Sequence, residues 1–124
     1  HLDGKSICNL LTGEDCNFSL GVPTVWLNFF SYLDANPDVD RSRIRLERVV
    51  IGGSAAPRAM IERFATEFNT FVLHAWGMTE MSPLGSLATI KPEYAATTGD
   101  ALFDVKQTQG HAPFGVEMKV TDDE

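Results

Sequence analysis

Two short apolar runs, Arg48-Val49-Val50-Ile51 and Phe71-Val72-Leu73-His74, bracket a segment whose apolar residues recur at helical spacing. This alternation limits the fold more than any other feature of the chain. Each run is short, apolar and rich in β-branched or aromatic residues, which suits a buried strand. Between them, Gly52-Gly53-Ser54-Ala55-Ala56 reads as a tight loop of small residues, and Pro57 sits where the first turn of a helix tolerates it. Met60, Ile61, Phe64 and Phe68 then form a helical stripe that Asn69 closes. The same order occurs upstream. Asn17-Phe18-Ser19-Leu20-Gly21-Val22 alternates as a short strand, and Pro23 opens a helix through about Asp34. Trp26, Phe29, Phe30 and Leu33 line one face of that helix, and Asn36-Pro37-Asp38 ends it. Strand, helix, strand, helix, strand with short connections predicts an α/β fold, a parallel sheet with crossover helices. Ligands bind such sheets beyond the carboxyl ends of the strands. The Gly52–Ala56 loop and a loop formed by Trp76-Gly77-Met78-Thr79-Glu80 are expected to lie side by side there.

The flanking segments are less regular. Residues 1–16 are polar and mixed, with Asp3-Gly4-Lys5 and Thr12-Gly13-Glu14-Asp15 as turn signals. Four arginines between Arg41 and Arg48, near Asp40 and Glu47, read as a solvated helix-to-strand connection rather than a phosphate patch. Regularity fades after Pro83, and Lys91-Pro92-Glu93 marks a helix or turn start. Phe114-Gly115-Val116-Glu117-Met118-Lys119-Val120 alternates again and is expected to open a second, β-rich subdomain. The resulting division is residues 1–90 in the α/β part and 91–124 in the connection and the following subdomain. A start at His1 and an end at Asp122-Asp123-Glu124, just after a strand-like run, read as a segment of a longer protein.

The hydrophobic content of 44% is enough to build a core, and a net charge of −7 disfavours nucleic acid or an anionic membrane as partner. Two cysteines, Cys8 and Cys16, form no CxxC and no cluster with the three histidines, so a zinc site is not expected. A reduced, cytoplasmic setting fits them, although a disulfide between the two stays open at this level. No apolar segment approaches the length of a membrane span, and no signal peptide is visible.

The residues from His74 to Glu80 carry the chemistry. An aromatic face (Trp76) can stack on a base, and a glycine (Gly77) admits close backbone approach. A hydroxyl (Thr79) can bond a phosphate oxygen, and a carboxylate (Glu80) can hold Mg²⁺. Singly, each has a blander reading: a core tryptophan, a solvated glutamate, a satisfied half-buried histidine. No P-loop and no GxGxxG spacing occurs, and no Ser/His/Asp arrangement is suggested. Thr98-Gly99-Asp100 offers a carboxylate to a ribose but reads better as a loop turn.

Taken in order, Gly21-Val22-Pro23-Thr24, Gly52-Gly53-Ser54-Ala55-Ala56-Pro57 and Trp76-Gly77-Met78-Thr79-Glu80 resemble the adenylate-forming superfamily of acyl-CoA synthetases, peptide-synthetase adenylation domains and luciferases. The likeness runs from about Phe18 to Val120, and the continuation Glu80-Met81-Ser82-Pro83-Leu84-Gly85 is most similar to bacterial-type fatty-acyl-CoA synthetases. The resemblance implies that Ala55, Ala56 and Pro57 line the adenine, that Trp76 stacks on it in place of the usual tyrosine, and that His74 and Ala75 edge it. It implies that Gly77 and Met78 border the acyl pocket, with Val22-Pro23-Thr24 and the Trp26 helix as a wall. Thr79 would bond the α-phosphate and Glu80 would help hold Mg²⁺, so these two are the implied catalytic residues. ATP, Mg²⁺ and coenzyme A are the implied cofactors and co-substrates, and a carboxylic acid is the substrate. The remaining partner is the rest of the parent enzyme: the family's phosphate loop would precede His1, and its ribose-binding aspartate, hinge and catalytic lysine would follow Glu124. The fragment alone is therefore expected to be inactive. Rival readings are an adenylate-forming ligase for aryl, amino or short thioether acids, and a non-catalytic α/β binding module.

Overall fold

The computed structural model describes residues 1–122. Its centre is a four-stranded sheet in the order β1 (Phe18–Gly21), β2 (Arg48–Ile51), β3 (Phe71–Gly77), β4 (Leu84–Leu87). The first three strands are parallel, with Leu20 opposite Val50 and Ile51 opposite His74. Each parallel pair is joined by a helix: α2 (Pro23–Ala35) between β1 and β2, and α3 (Arg58–Phe68) between β2 and β3. The α/β architecture with crossover helices is therefore present as expected.

Both helices start and stop where the sequence places them. Pro23 stands at the head of α2, where its missing N–H is no loss. Asn69 ends α3 in the left-handed conformation at φ 52°, donating its N–H to the Phe64 carbonyl. Trp26, Phe29 and Leu33 on α2 meet Ile61 and Phe64 on α3 in one core with Val49, Ile51 and Val72 of the sheet. Phe64 is the hub: its ring centroid lies 4.8 Å from Phe30 and 5.2 Å from Trp26. The arginines work as surface ties. Arg63 bonds Asp34 and Glu67 and lies over the Phe30 ring at 4.4 Å, and Arg41 bonds Glu67 at 3.0 Å. Such exposed pairs hold geometry more than they add stability.

Five expectations change. The polar stretch 1–16 contains a helix, α1 (Gly4–Gly13), which packs on α2 through Ile7, Cys8 and Leu11. Asp3, taken as part of a turn, is its N-cap and accepts the Ser6 N–H at 2.9 Å. Gly4 is needed because a Cβ there would fall 2.2 Å from the Asn28 carbonyl oxygen. Cys8 and Cys16 are free thiols, and burial raises the pKa of Cys8. Second, β3 continues to Gly77, so Trp76 and Gly77 belong to the strand and only Met78–Pro83 form the loop. Third, the irregular stretch after Pro83 supplies β4, antiparallel to β3, whose pairing from Ala75 to Gly77 produces that extension. Fourth, Thr98-Gly99-Asp100 is no loop turn but the start of α4 (Gly99–Gln107), and Asp100 accepts from Arg58 of α3 at 2.9 Å. Fifth, no strand forms over 114–120 among the described residues. Phe114 and Val120 are fully exposed there, with no neighbouring strand to bond, and an isolated strand has no stable hydrogen-bonding partner.

Candidate functional site

The carboxyl ends of β1, β2 and β3 open into a groove of about 330 Å³. Leu20, Gly21 and Val22 form one wall, Val50, Gly52 and Gly53 the floor, and Ala75, Trp76 and Gly77 the opposite side. Met78, Thr79, Pro83 and Leu84 complete the rim. Nearly every lining side chain is apolar or absent. Glycine is decisive at two places: Gly53 has φ +80°, which L side chains rarely adopt, and a Cβ on Gly77 would fall 1.9 Å from the Pro83 carbonyl oxygen.

The rim loop is closed on itself. Met78 donates its N–H to Pro83 O at 2.9 Å, and a single 3₁₀ turn, Thr79–Met81, holds Thr79 and Glu80 side by side. Both side chains are exposed, and no ion pair engages Glu80 among the described residues. No group of three or more metal-ligating side chains occurs among the described residues. Glu80 thus offers one uncompensated carboxylate. That suits Mg²⁺, which keeps several waters and takes one or two carboxylates together with substrate phosphate oxygens.

Trp76, on β3, is 38% exposed, and its indole packs over Gly85 of the neighbouring β4. A Cβ on Gly85 would fall 2.4 Å from its Cζ3 and 2.7 Å from Met81 Sδ, so the glycine is the seat of the indole. Gly85→Ala is expected to lift the ring into the groove and destabilise the protein by about 1–3 kcal/mol, as overpacking does. Tryptophan fluorescence and the melting temperature read both effects.

Of the residues nominated for the site, Ala75, Trp76, Gly77, Met78 and Thr79 line the groove, and Glu80 follows directly at its rim. Others do not. Trp26 is a core residue, 1% exposed, and of the Val22-Pro23-Thr24 wall only Val22 reaches the groove. Ala55 is exposed beside the groove, while Pro57 lines a different cleft, between α2 and α3. Ala56 is 2% exposed and donates its N–H to His74 Nε2 at 3.0 Å. His74 is itself 2% exposed, and its Nδ1 lies 2.9 Å from the Gln107 carbonyl oxygen. Both ring nitrogens are occupied inside the protein, so the imidazole offers no edge to a base. The sequence reading missed Leu20, Val50, Pro83 and Leu84. The first two are strand residues whose position near a carboxyl end was the available signal.

Known proteins share both the sequence and the fold of this chain. The family model described as "AMP-binding enzyme" matches residues 1–124, the whole chain. The chain belongs to the AMP-binding enzyme family. It is 39% identical over 123 residues to a medium-chain-fatty-acid–CoA ligase of Ectopseudomonas oleovorans, covering 99% of this chain and 22% of that protein. A 3-methylmercaptopropionyl-CoA ligase of Ruegeria pomeroyi is 36% identical over 123 residues, with the same coverage of 99% and 22%. The chain thus spans about a fifth of the length of these relatives. The crystal structure of an anthranilate CoA ligase in complex with anthranoyl-AMP shares the fold at a TM-score of 0.73 and 17% identity, over 98% of this chain and 21% of that one. Mixed α/β topology and membership in this AMP-binding family therefore agree. No helix among the described residues is long and apolar enough to cross a membrane.

Proposed function

We propose that the chain is part of the acyl- and nucleotide-binding region of an AMP-forming acid–CoA ligase acting on a fatty acid. The observation that carries this reading is the apolar groove of about 330 Å³ with the Thr79 hydroxyl and the unpaired Glu80 carboxylate at its mouth. An apolar acyl chain can fill such a groove while its carboxyl group stays at the polar rim. The 39% identity to a medium-chain-fatty-acid–CoA ligase supports the substrate class. A short thioether acid is the second reading, favoured by the 36% identity to a 3-methylmercaptopropionyl-CoA ligase.

In the proposed reaction a carboxylate oxygen attacks the α-phosphorus of ATP and pyrophosphate leaves. The thiol of coenzyme A then attacks the acyl carbonyl and AMP leaves. Thr79 donates a hydrogen bond to an α-phosphate oxygen, where negative charge builds up. Glu80 would contribute one ligand to Mg²⁺, which would supply neutralising charge to the phosphates. Trp76 and the exposed Ala55 offer the purine an apolar surface, and the groove orients the acid. The same reading puts the parent protein in the cytoplasm, in keeping with free Cys8 and Cys16 thiols.

In the full-length parent, Thr79→Ala or Glu80→Ala is expected to lower acyl-adenylate formation by about 10²-fold, the usual effect of removing one transition-state contact. The melting temperature should stay put, since both side chains are exposed. A full rate in both variants would discard the assignment. The 124 residues by themselves are expected not to exchange pyrophosphate into ATP, since they match about a fifth of the relatives' length. Exchange by the purified segment would show that the chemistry needs nothing beyond it.

A further inference from the structure

We infer that His74 is a positioning residue: it clamps both ends of the 52–55 loop and so fixes Gly52 and Gly53 in the floor of the groove. The inference rests on the proposed ligase reading for its consequence, though not for its geometry.

The clamp has a backbone arm and a side-chain arm. Through the sheet, His74 is the register partner of Ile51, the residue immediately before Gly52. Through its ring, Nε2 accepts the N–H of Ala56, immediately after Ala55, at 3.0 Å. One residue therefore fixes the entry and the exit of a four-residue loop. No other side chain hydrogen-bonds to residues 52–56 among the described residues. The far side of the ring reaches Gln107 O at the end of α4, 2.9 Å from Nδ1. A backbone N–H only donates and a carbonyl only accepts, so these partners select one form of the imidazole. The neutral ring with its proton on Nδ1 donates to Gln107 and accepts from Ala56. The other tautomer sets donor against donor at Ala56 and acceptor against acceptor at Gln107. With the ring 2% exposed, water does not replace a lost partner.

The loop held in this way has little to hold it otherwise. Gly52 and Gly53 carry no side chains, and Gly53 sits at φ +80° with Val22 Cγ1 3.0 Å from where a Cβ would be. Freed at Ala56, the two glycines would sample many conformations. The acid would then have to order its own floor on binding. A weaker KM for the acid, with less change in kcat, is the signature of such a loss.

The two arms of the ring can be separated by amide isosteres in the full-length parent. Glutamine carries an amide oxygen to about the Nε2 position and can accept from Ala56. Asparagine carries an amide nitrogen to about the Nδ1 position and serves Gln107 only. His74→Asn is expected to speed amide hydrogen exchange at Ala56 and raise the KM for a medium-chain fatty acid, each by about tenfold, the worth of one buried hydrogen bond. His74→Gln is expected to rescue most of both. Wild-type exchange at Ala56 in His74→Asn would overturn the clamp, as would equal damage by the two amides, which would mean that ring volume alone matters. Faster exchange with an unchanged KM would overturn its role in the reaction. The exchange measurement needs no turnover, so a wild-type parent that fails to adenylate any acid sinks the ligase reading separately.

Discussion

Replacing Phe64 by alanine is expected to cost about 3–5 kcal/mol, the range for deleting a buried aromatic ring. Phe64 is 0% exposed and stands between the two crossover helices. Its ring meets Trp26 edge-on at 5.2 Å, Phe30 at 4.8 Å and Phe68 at 6.4 Å between centroids. Helix α3 contributes Met60, Ile61 and Phe64 as its fully buried residues, so the deletion removes the middle of its hold on α2 and the sheet. The cavity would open among rigid rings on separate elements, and such sites collapse poorly. Trp26 adds to this. Its Nε1 is buried with no hydrogen-bond partner among the described residues, and the indole is seated against Gly21, where a Cβ would fall 3.0 Å from that nitrogen. A loosened Trp26 therefore disturbs Gly21, a wall of the groove. Phe64→Leu keeps most of the volume and should lose less than half as much. Chemical denaturation reads the difference directly.

Gly77→Val should abolish function by another route, with the core intact. A Cβ at this position would lie 1.9 Å from Pro83 O, 2.9 Å from Pro83 C and 3.1 Å from Leu84 Cα. All three are backbone atoms, so no rotamer change relieves the clash. The strand-to-strand approach at this point also carries the hydrogen bond from Met78 N–H to Pro83 O. Forcing β3 and β4 apart here breaks that closure and moves Thr79 and Glu80, which begin the next turn. Misplacing reacting groups by about 1 Å costs about 10²-fold in rate. Under the proposed ligase reading, the expected result is a loss of at least that size in acyl-adenylate formation by the full-length parent, with far-ultraviolet circular dichroism preserved. Gly13→Ala is the matched control: a Cβ there meets nothing within 4 Å, and the variant should fold and turn over normally.

What the sequence made legible follows from where the physics is local. The α2 and α3 stripes repeat at three and four residues and face one core, so Trp26, Phe29, Phe30, Phe64 and Phe68 could be read as buried. Pro23 and Asn69 mark helix ends by their own backbone chemistry. Helix α1 was hidden because only Ile7, Cys8 and Leu11 of its apolar residues are buried, and its boundary residues Asp3-Gly4 and Thr12-Gly13 carry turn signals. Strand β4 was hidden for a different reason. Leu84-Gly85-Ser86-Leu87 has weak strand propensity, and its place is set by the Trp76 ring, which needs Gly85 beneath it. The run from Phe114 to Val120 erred the other way: alternation alone makes no strand without a neighbour to pair with.

The candidate site divides along the same line. Residues from Ala75 to Thr79 line the groove because the direction of a parallel strand determines which end carries ligands. His74 and Ala56 were nominated to face a nucleotide and face each other instead. Linear sequence could not reveal that, since the bond joins a strand to a loop across the sheet.

The most direct test of the account is a titration of the full-length parent with a non-hydrolysable acyl-adenylate mimic, followed by residue-resolved amide shifts. The groove assignment predicts shifts concentrated at Gly52, Gly53 and Trp76 through Glu80 as the mimic saturates. Saturable binding that leaves those amides unmoved would contradict it.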